Sequence, residues 1–221
     1  MGKVKDICVR AVKTAVGYIP GVGPLLSEVI DYGSSQFENK KLEEFMIEVE
    51  SRLNTLEENI EMLKSNEFGY FYFLKATKRY LEDSQKEKKQ LFAECVKNGY
   101  TSDIDESKKI LFLSKLAEYP IELLKLLFHL NKNKFVDEST SNHIIYYGTV
   151  KVETAICEYF PEYSNDIETL RLFIHKLQND QMILLFQDLE PVSKEKAYGK
   201  WTTKFGEEFI NFIMEKEDEN L

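Results

Sequence analysis

The stretch GYIPGVGPLL, Gly17 to Leu26, sets three glycines and two prolines in the most apolar part of an otherwise charged chain. It has three readings, each implying a different protein: the phosphate loop of an α/β fold, an apolar hairpin that enters a membrane, or a turn between two helices. The phosphate loop fails on chemistry. A Walker-type loop needs Lys and then Ser or Thr directly after its last glycine, with a β-strand to aim it, whereas Gly23 is followed by Pro24 and Leu25. The dinucleotide fingerprint fails too, because Gly17 and Gly21 are wrongly spaced and the preceding VRAVKTAV reads as helix.

Upstream, Val4, Ile7, Cys8, Ala11, Val12, Ala15 and Val16 recur at steps of three and one, which lines one face of a helix over roughly residues 3 to 17. Gly17 suits a left-handed helix end, Pro20 blocks continuation, and Pro24 fits the first turn of the next helix, where its missing N–H is no loss. The stretch therefore reads as a buried helix–turn–helix connection. The competing use is release of the apolar hairpin, with Ile19, Val22, Leu25 and Leu26 meeting a partner or a membrane.

The second helix starts near Pro24. Leu42, Phe45, Val49, Leu53, Leu56, Ile60 and Leu63 follow at spacings of three and four, a coiled-coil-like seam for an intramolecular bundle, a partner protein or a homo-oligomer. DYGSSQ around Gly33 is its weak point, so one bent helix and two separate helices both fit. In the next helical stretch, residues 66–100, Ser84 and Glu87 match a capping box where a helix restarts, and Gly99 after Asn98 reads as a C-terminal stop. Acids at Asp103, Asp105 and Glu106 open a capped helix over roughly 103 to 118, and capping outweighs metal ligation or half of a nuclease E-x-K there.

From Pro120 the texture changes. PIELLKLLFHLNKN, GTVKVETAICEYF and NDIETLRLFIHKLQNDQMI read as three helices, and β-structure is expected only as a small hairpin within 182 to 203. TKFGEEFINFIME closes as a helix with Thr203 as its cap. Three helices, a hairpin and a helix resemble the winged-helix fold, and WTTKFGEEFINFI is similar to the threonine–x–x–glycine helix start that follows the wing in bacterial winged-helix proteins. With IPGVGPLLSEVI and KKLEEFMIEVESRLNTLEE ahead of it, the whole chain resembles bacterial abortive-infection and related phage-defence proteins of the Abi-alpha sort. That resemblance implies an antiviral role and maps no catalytic motif onto this chain.

The expected fold class is thus mainly α: an N-terminal helical hairpin and coiled-coil-like bundle over 1–100, a winged-helix-like domain with a small β-hairpin over 101–214, and an acidic tail, 215–221. With 43% hydrophobic residues in 221, there is enough apolar surface for a core. The net charge of −9 repels nucleic acid and anionic membrane unless a local basic patch intervenes. One patch exists, at Lys194, Lys196, Lys200 and Lys204 with Tyr198 and Trp201 interleaved, and it is the candidate DNA-binding site. The helix that would enter the major groove offers only Arg171 and Lys176 against Asp166, Glu168 and Asp180, which favours protein docking.

Chemistry is sparse. His129, His143 and His175 are dispersed without zinc-type spacing, and no hydrolase signature is present, so neither enzyme activity nor a cofactor or metal is expected. Cys8, Cys95 and Cys157 are odd in number and far apart, as in a reduced, cytoplasmic protein. Arg10, Lys13, Pro20 and Pro24 interrupt the N-terminal apolar run, against a signal peptide or spanning helix.

Overall fold

A computed structural model describes residues 36–53, 67–132, 149–150, 152–184, 192–193 and 199–214. The glycine-rich stretch, the seam beyond Leu53, Lys194, Lys196 and the acidic tail lie outside the described residues. What is described is mainly α-helical, as the apolar periodicity predicts. It divides into two compact units, one holding the described residues through Ile121 with those from Asn211, the other Glu122–Ile210. The sequence reading put the division at residue 100; it falls later because the helix after that point packs on the N-terminal bundle.

The first unit is built from α1 (Gln36–Leu53), α2 (Glu67–Glu82), α3 (Lys89–Thr101) and α4 (Glu106–Glu118). Helix α3 is its centre, packed by α1, α2 and α4, which is why Leu91, Phe92, Ala93, Cys95, Val96 and Gly99 are buried around most of its circumference. On α2, Tyr72, Ala76 and Tyr80 recur one turn apart and are fully buried. Phe45 and Val49 are also fully buried, and Phe45 stacks on Tyr80 with ring centroids 4.4 Å apart. Phe45 and Val49 of the coiled-coil-like seam are therefore spent inside their own bundle.

The joint between α2 and α3 is polar and closed. Lys41 Nζ donates to the carbonyls of Leu81, at 3.0 Å, and of Asp83, supplying partners to the C-terminal carbonyls of α2. Asp83 Oδ1 accepts from Gln85 N at 2.8 Å, and its other oxygen pairs with Lys88, a lysine only 1% exposed. A 3-10 turn, Lys86–Lys88, follows without a side-chain cap, so Asp83 does the work that the Ser84–Glu87 box was expected to do. The restart itself is where the sequence puts it.

Gly99 is not a helix stop. Helix α3 runs on to Thr101 and is closed by Ser102 N donating to Asn98 O at 3.0 Å. Gly99 is needed inside the helix because a Cβ there would lie 2.2 Å from Tyr72 Cε1. Asp105 caps α4, accepting from Ser107 N at 2.9 Å and Lys108 N at 3.4 Å, which gives the acidic cluster a capping role.

In the second unit α5 (Ile121–Leu130) follows Pro120, then β1 (Thr149–Val150), α6 (Val152–Cys157), a 3-10 turn (Pro161–Asn165), α7 (Ile167–Asn179) and β2 (Val192–Ser193). Helix α8 (Lys204–Ile213) begins in this unit. Strands β1 and β2 pair antiparallel, Thr149 opposite Ser193 and Val150 opposite Val192. β-structure is therefore not confined to 182–203: a two-residue strand is too short to show alternation in sequence, and only its partner reveals it. A second antiparallel pairing joins Ile183 to Thr202, flanked by Leu184 N to Trp201 O at 2.9 Å and Thr203 N to Met182 O at 3.0 Å.

Candidate interaction surfaces

The threonine–x–x–glycine start of α8 is a built junction. Thr203 Oγ1 accepts from Gly206 N at 3.0 Å, capping the helix, and donates to Gln181 O at 2.6 Å. Gln181 itself has a positive φ of 59°, a conformation that non-glycine residues seldom take. Gly206 lies so close to the chain after α7 that a Cβ would sit 2.0 Å from Met182 O. The threonine thus ties helix to turn, and the glycine allows the approach.

Of the candidate basic patch, Lys200 and Lys204 are described and exposed. Lys200 Nζ pairs with Glu207 at 2.9 Å, so its charge is partly neutralised by the first turns of α8. Trp201 is 3% exposed and has no face to stack on a base; it is a core residue. Tyr198 lies outside the described residues.

Helix α7 is amphipathic: Leu170, Ile174, Leu177 and Gln178 are buried, while Glu168, Arg171, Leu172, His175 and Asn179 are exposed. Asp166 caps it, accepting from Thr169 N at 3.1 Å, and hydrogen bonding first with the Thr169 side chain and then with its backbone lowers the Asp166 carboxyl from its ordinary value. Both cations of α7 have acidic partners within the unit. Arg171 Nε and Nη2 bond Glu153 Oε1 at 3.2 and 3.1 Å, and Lys176 pairs with Asp180 at 2.9 Å. The outer face carries one large apolar side chain, Leu172, 67% exposed.

Cys95, Tyr72 and Lys109 are buried, whereas His175 is exposed and Cys157 half-buried. Cys95 Sγ hydrogen-bonds Tyr72 Oη at 2.9 Å; burial pushes its thiol up to about 12, against the opposing effect of that bond, so it is a poor nucleophile at neutral pH. Burial also raises the Tyr72 phenol well above its usual range. Lys109 donates to Ser102 O at 2.7 Å, and desolvation lowers its pKa despite the nearby acids Glu106 and Asp103. His129 lies against Tyr159 and Phe160, ring centroids 4.4 and 5.0 Å away, as a histidine at the rim of a helical core. Among the described residues, no group of three His, Cys, Asp or Glu side chains could hold a metal ion.

Two buried ionic sites that join separate helices escaped the sequence reading. Glu94, 3% exposed, faces Arg52 Nε at 3.3 Å, Lys97 Nζ at 3.0 Å and Asn98 Nδ2 at 3.0 Å, and Asn98 also donates to Phe212 O at 3.0 Å. Glu153 is the other, joined to Arg171 across α6 and α7. Lys97 and Asn98 are helical neighbours of Glu94, but Arg52 with Glu94 and Arg171 with Glu153 are far apart in sequence, so spacing rules could not find those two pairs. No helix among the described residues is long and apolar enough to cross a membrane. No protein-family model, curated protein or solved structure matches the chain.

Proposed function

We propose that this chain is a non-enzymatic, protein-interaction component of a bacterial antiviral system of the abortive-infection type, cytoplasmic, and docking through a winged-helix-like C-terminal region. The order α5, β1, α6, α7, antiparallel pairing and α8 supports the winged-helix-like description. The observation that carries the choice of protein contact is the charge state of α7. A helix that reads DNA needs cations available to phosphates, whereas Arg171 is bonded to Glu153 and Lys176 to Asp180, with Leu172 exposed between them. The inward-facing thiol and phenol support the non-enzymatic part.

The test is phage challenge of cells carrying the native gene neighbourhood with and without this chain, and with Leu172→Asp. Loss of protection in the deletion and in Leu172→Asp is expected, and full protection without the chain would remove the defence role. DNA binding through the wing is the rival outcome. It calls for a mobility shift that weakens steeply with salt and falls when Lys194, Lys196 and Lys200 are neutralised.

A further inference from the structure

We propose that Asn98, Tyr72 and Phe112 form a recognition site for the last turn of a helix, filled in the free chain by the end of its own α8 and able to take the same turn from a second copy. The site lies in the first unit, to which the residues from Asn211 belong. It does not depend on the role given to α7.

The apolar part of the site is a pair of rings. Phe212, 2% exposed, lies with its ring centroid 5.3 Å from that of Phe112 and 6.5 Å from that of Tyr72, edge-on to the latter, packings that are favourable beyond the area they bury. Tyr72 stands there because Gly99 leaves it room. The polar part reads the helix end. The last four carbonyls of a helix have no partner within it; Phe212 O is one of these in α8 and accepts from Asn98 Nδ2 at 3.0 Å. The same amide nitrogen donates its other hydrogen to Glu94 Oε1, also at 3.0 Å, and Arg52 Nε faces Glu94 Oε2 at 3.3 Å. A buried carboxylate therefore aims the amide at the helix end. What the site recognises is an aromatic side chain and the free carbonyl of the same residue.

The occupant is small. Of α8, only Asn211–Ile213 belong to this unit, and Asn211 is exposed. Glu215, Glu217, Asp218 and Glu219 follow in the sequence, and acids beyond a helix C-terminus oppose its dipole. Every copy of the chain carries the same turn, so a second copy is a partner whose fit is already seen in the contacts of Phe212. Within one chain the turn is present at an effective concentration on the order of 1 mM. The closed chain is therefore the resting form, and a turn from outside enters where the chain's own has left.

A fluorescein-labelled peptide of residues 203–214 stands in for the second copy's turn, with binding to the full chain read by fluorescence anisotropy. Its Kd for the Phe212→Asp chain, whose own turn cannot seat, should be at least about ten-fold below that for the parent. The peptide carrying Phe212→Asp should not bind, and Asn98→Ala added to the Phe212→Asp chain should raise Kd several-fold. Phe212→Ala takes the place of Phe212→Asp if circular dichroism shows the latter to be unfolded. In the parent chain, hydrogen exchange at the Phe212 and Ile213 amides should run at least about ten-fold faster than at those of Leu91 to Val96, by opening of the turn alone. Exchange no faster than in α3 would mean that the turn leaves only when the whole unit unfolds, and would overturn the proposal whatever the variants do. So would a peptide that binds neither chain, binds parent and variant alike, or is indifferent to Asn98→Ala.

Discussion

Gly99→Ala separates a close-packing glycine from a helix stop. At an exposed helix position the change would stabilise by about 1 kcal/mol, because alanine is the better helix former. Here the new Cβ would stand 2.2 Å from Tyr72 Cε1, 2.4 Å from Cδ1 and 2.9 Å from Cζ, where carbon contacts prefer about 3.5–4.0 Å. The ring must retreat by an ångström or more, and it has no space to do so. Tyr72 is 1% exposed, its neighbours Phe68 and Phe212 lie at centroid distances of 5.8 and 6.5 Å, and Cys95 holds its hydroxyl. Overpacking costs about 1–3 kcal/mol and a displaced hydroxyl about 0.5–1.5 kcal/mol. After the helix-propensity gain, the net loss is about 1–3 kcal/mol. At roughly 2–4 °C per kcal/mol for a chain of this size, Tm should fall by about 2–12 °C in a thermal melt followed by circular dichroism. The same substitution in a Tyr72→Leu background, where the ring is gone, should be neutral or stabilising, giving a coupling energy of the sign expected for a steric pair. If Gly99→Ala leaves Tm unchanged or raises it, or costs as much without the ring, the steric account of Gly99 is wrong.

Gly206→Ala should be worse tolerated, because the obstructing atom is the backbone oxygen of Met182 and cannot rotate away; a loss of about 3 kcal/mol, read from the fluorescence of Trp201, the sole tryptophan, is expected in urea unfolding, and an unchanged midpoint would contradict it. Glu94→Ala removes the partner that Arg52 Nε faces, although Glu48 remains beside its guanidinium, so about 3 kcal/mol should be lost; a change near zero in denaturant titration would show that the network is solvated. Cys95, with its thiol raised to about 12, should resist alkylation at pH 8 in the native chain and react on unfolding. The same shift has a definite sign: the thiol is held protonated when folded, so its stabilising contribution is complete below the unfolded value near 9.0 and is lost as pH rises from there towards 12. Alkaline unfolding curves of Cys95→Ala should therefore fall less steeply than those of the parent, and identical slopes would show that the thiol is not linked to folding.

Local chemistry in the chain was sufficient for the helices and several of their ends. The acid at Asp105 and the threonine at Thr203 act through neighbours within one turn, and the structure uses them as those local rules predict. Gly99 shows where local rules stop, because the same residue type ends a helix or admits a neighbour into its middle, and only the ring of Tyr72, brought from another helix, decides which. The pairing of Glu94 with Arg52 and of Glu153 with Arg171 is likewise fixed by packing, since a charge enters a core only where the fold delivers its counter-charge. The candidate surface divides in the same way: composition showed that α7 was not a basic helix and Asp180 stands one turn after Lys176 in the sequence, but tertiary structure decided that Arg171 meets Glu153 and that Leu172 remains exposed. Periodicity reports which face is apolar, and exposure depends on what else in the chain comes to cover it.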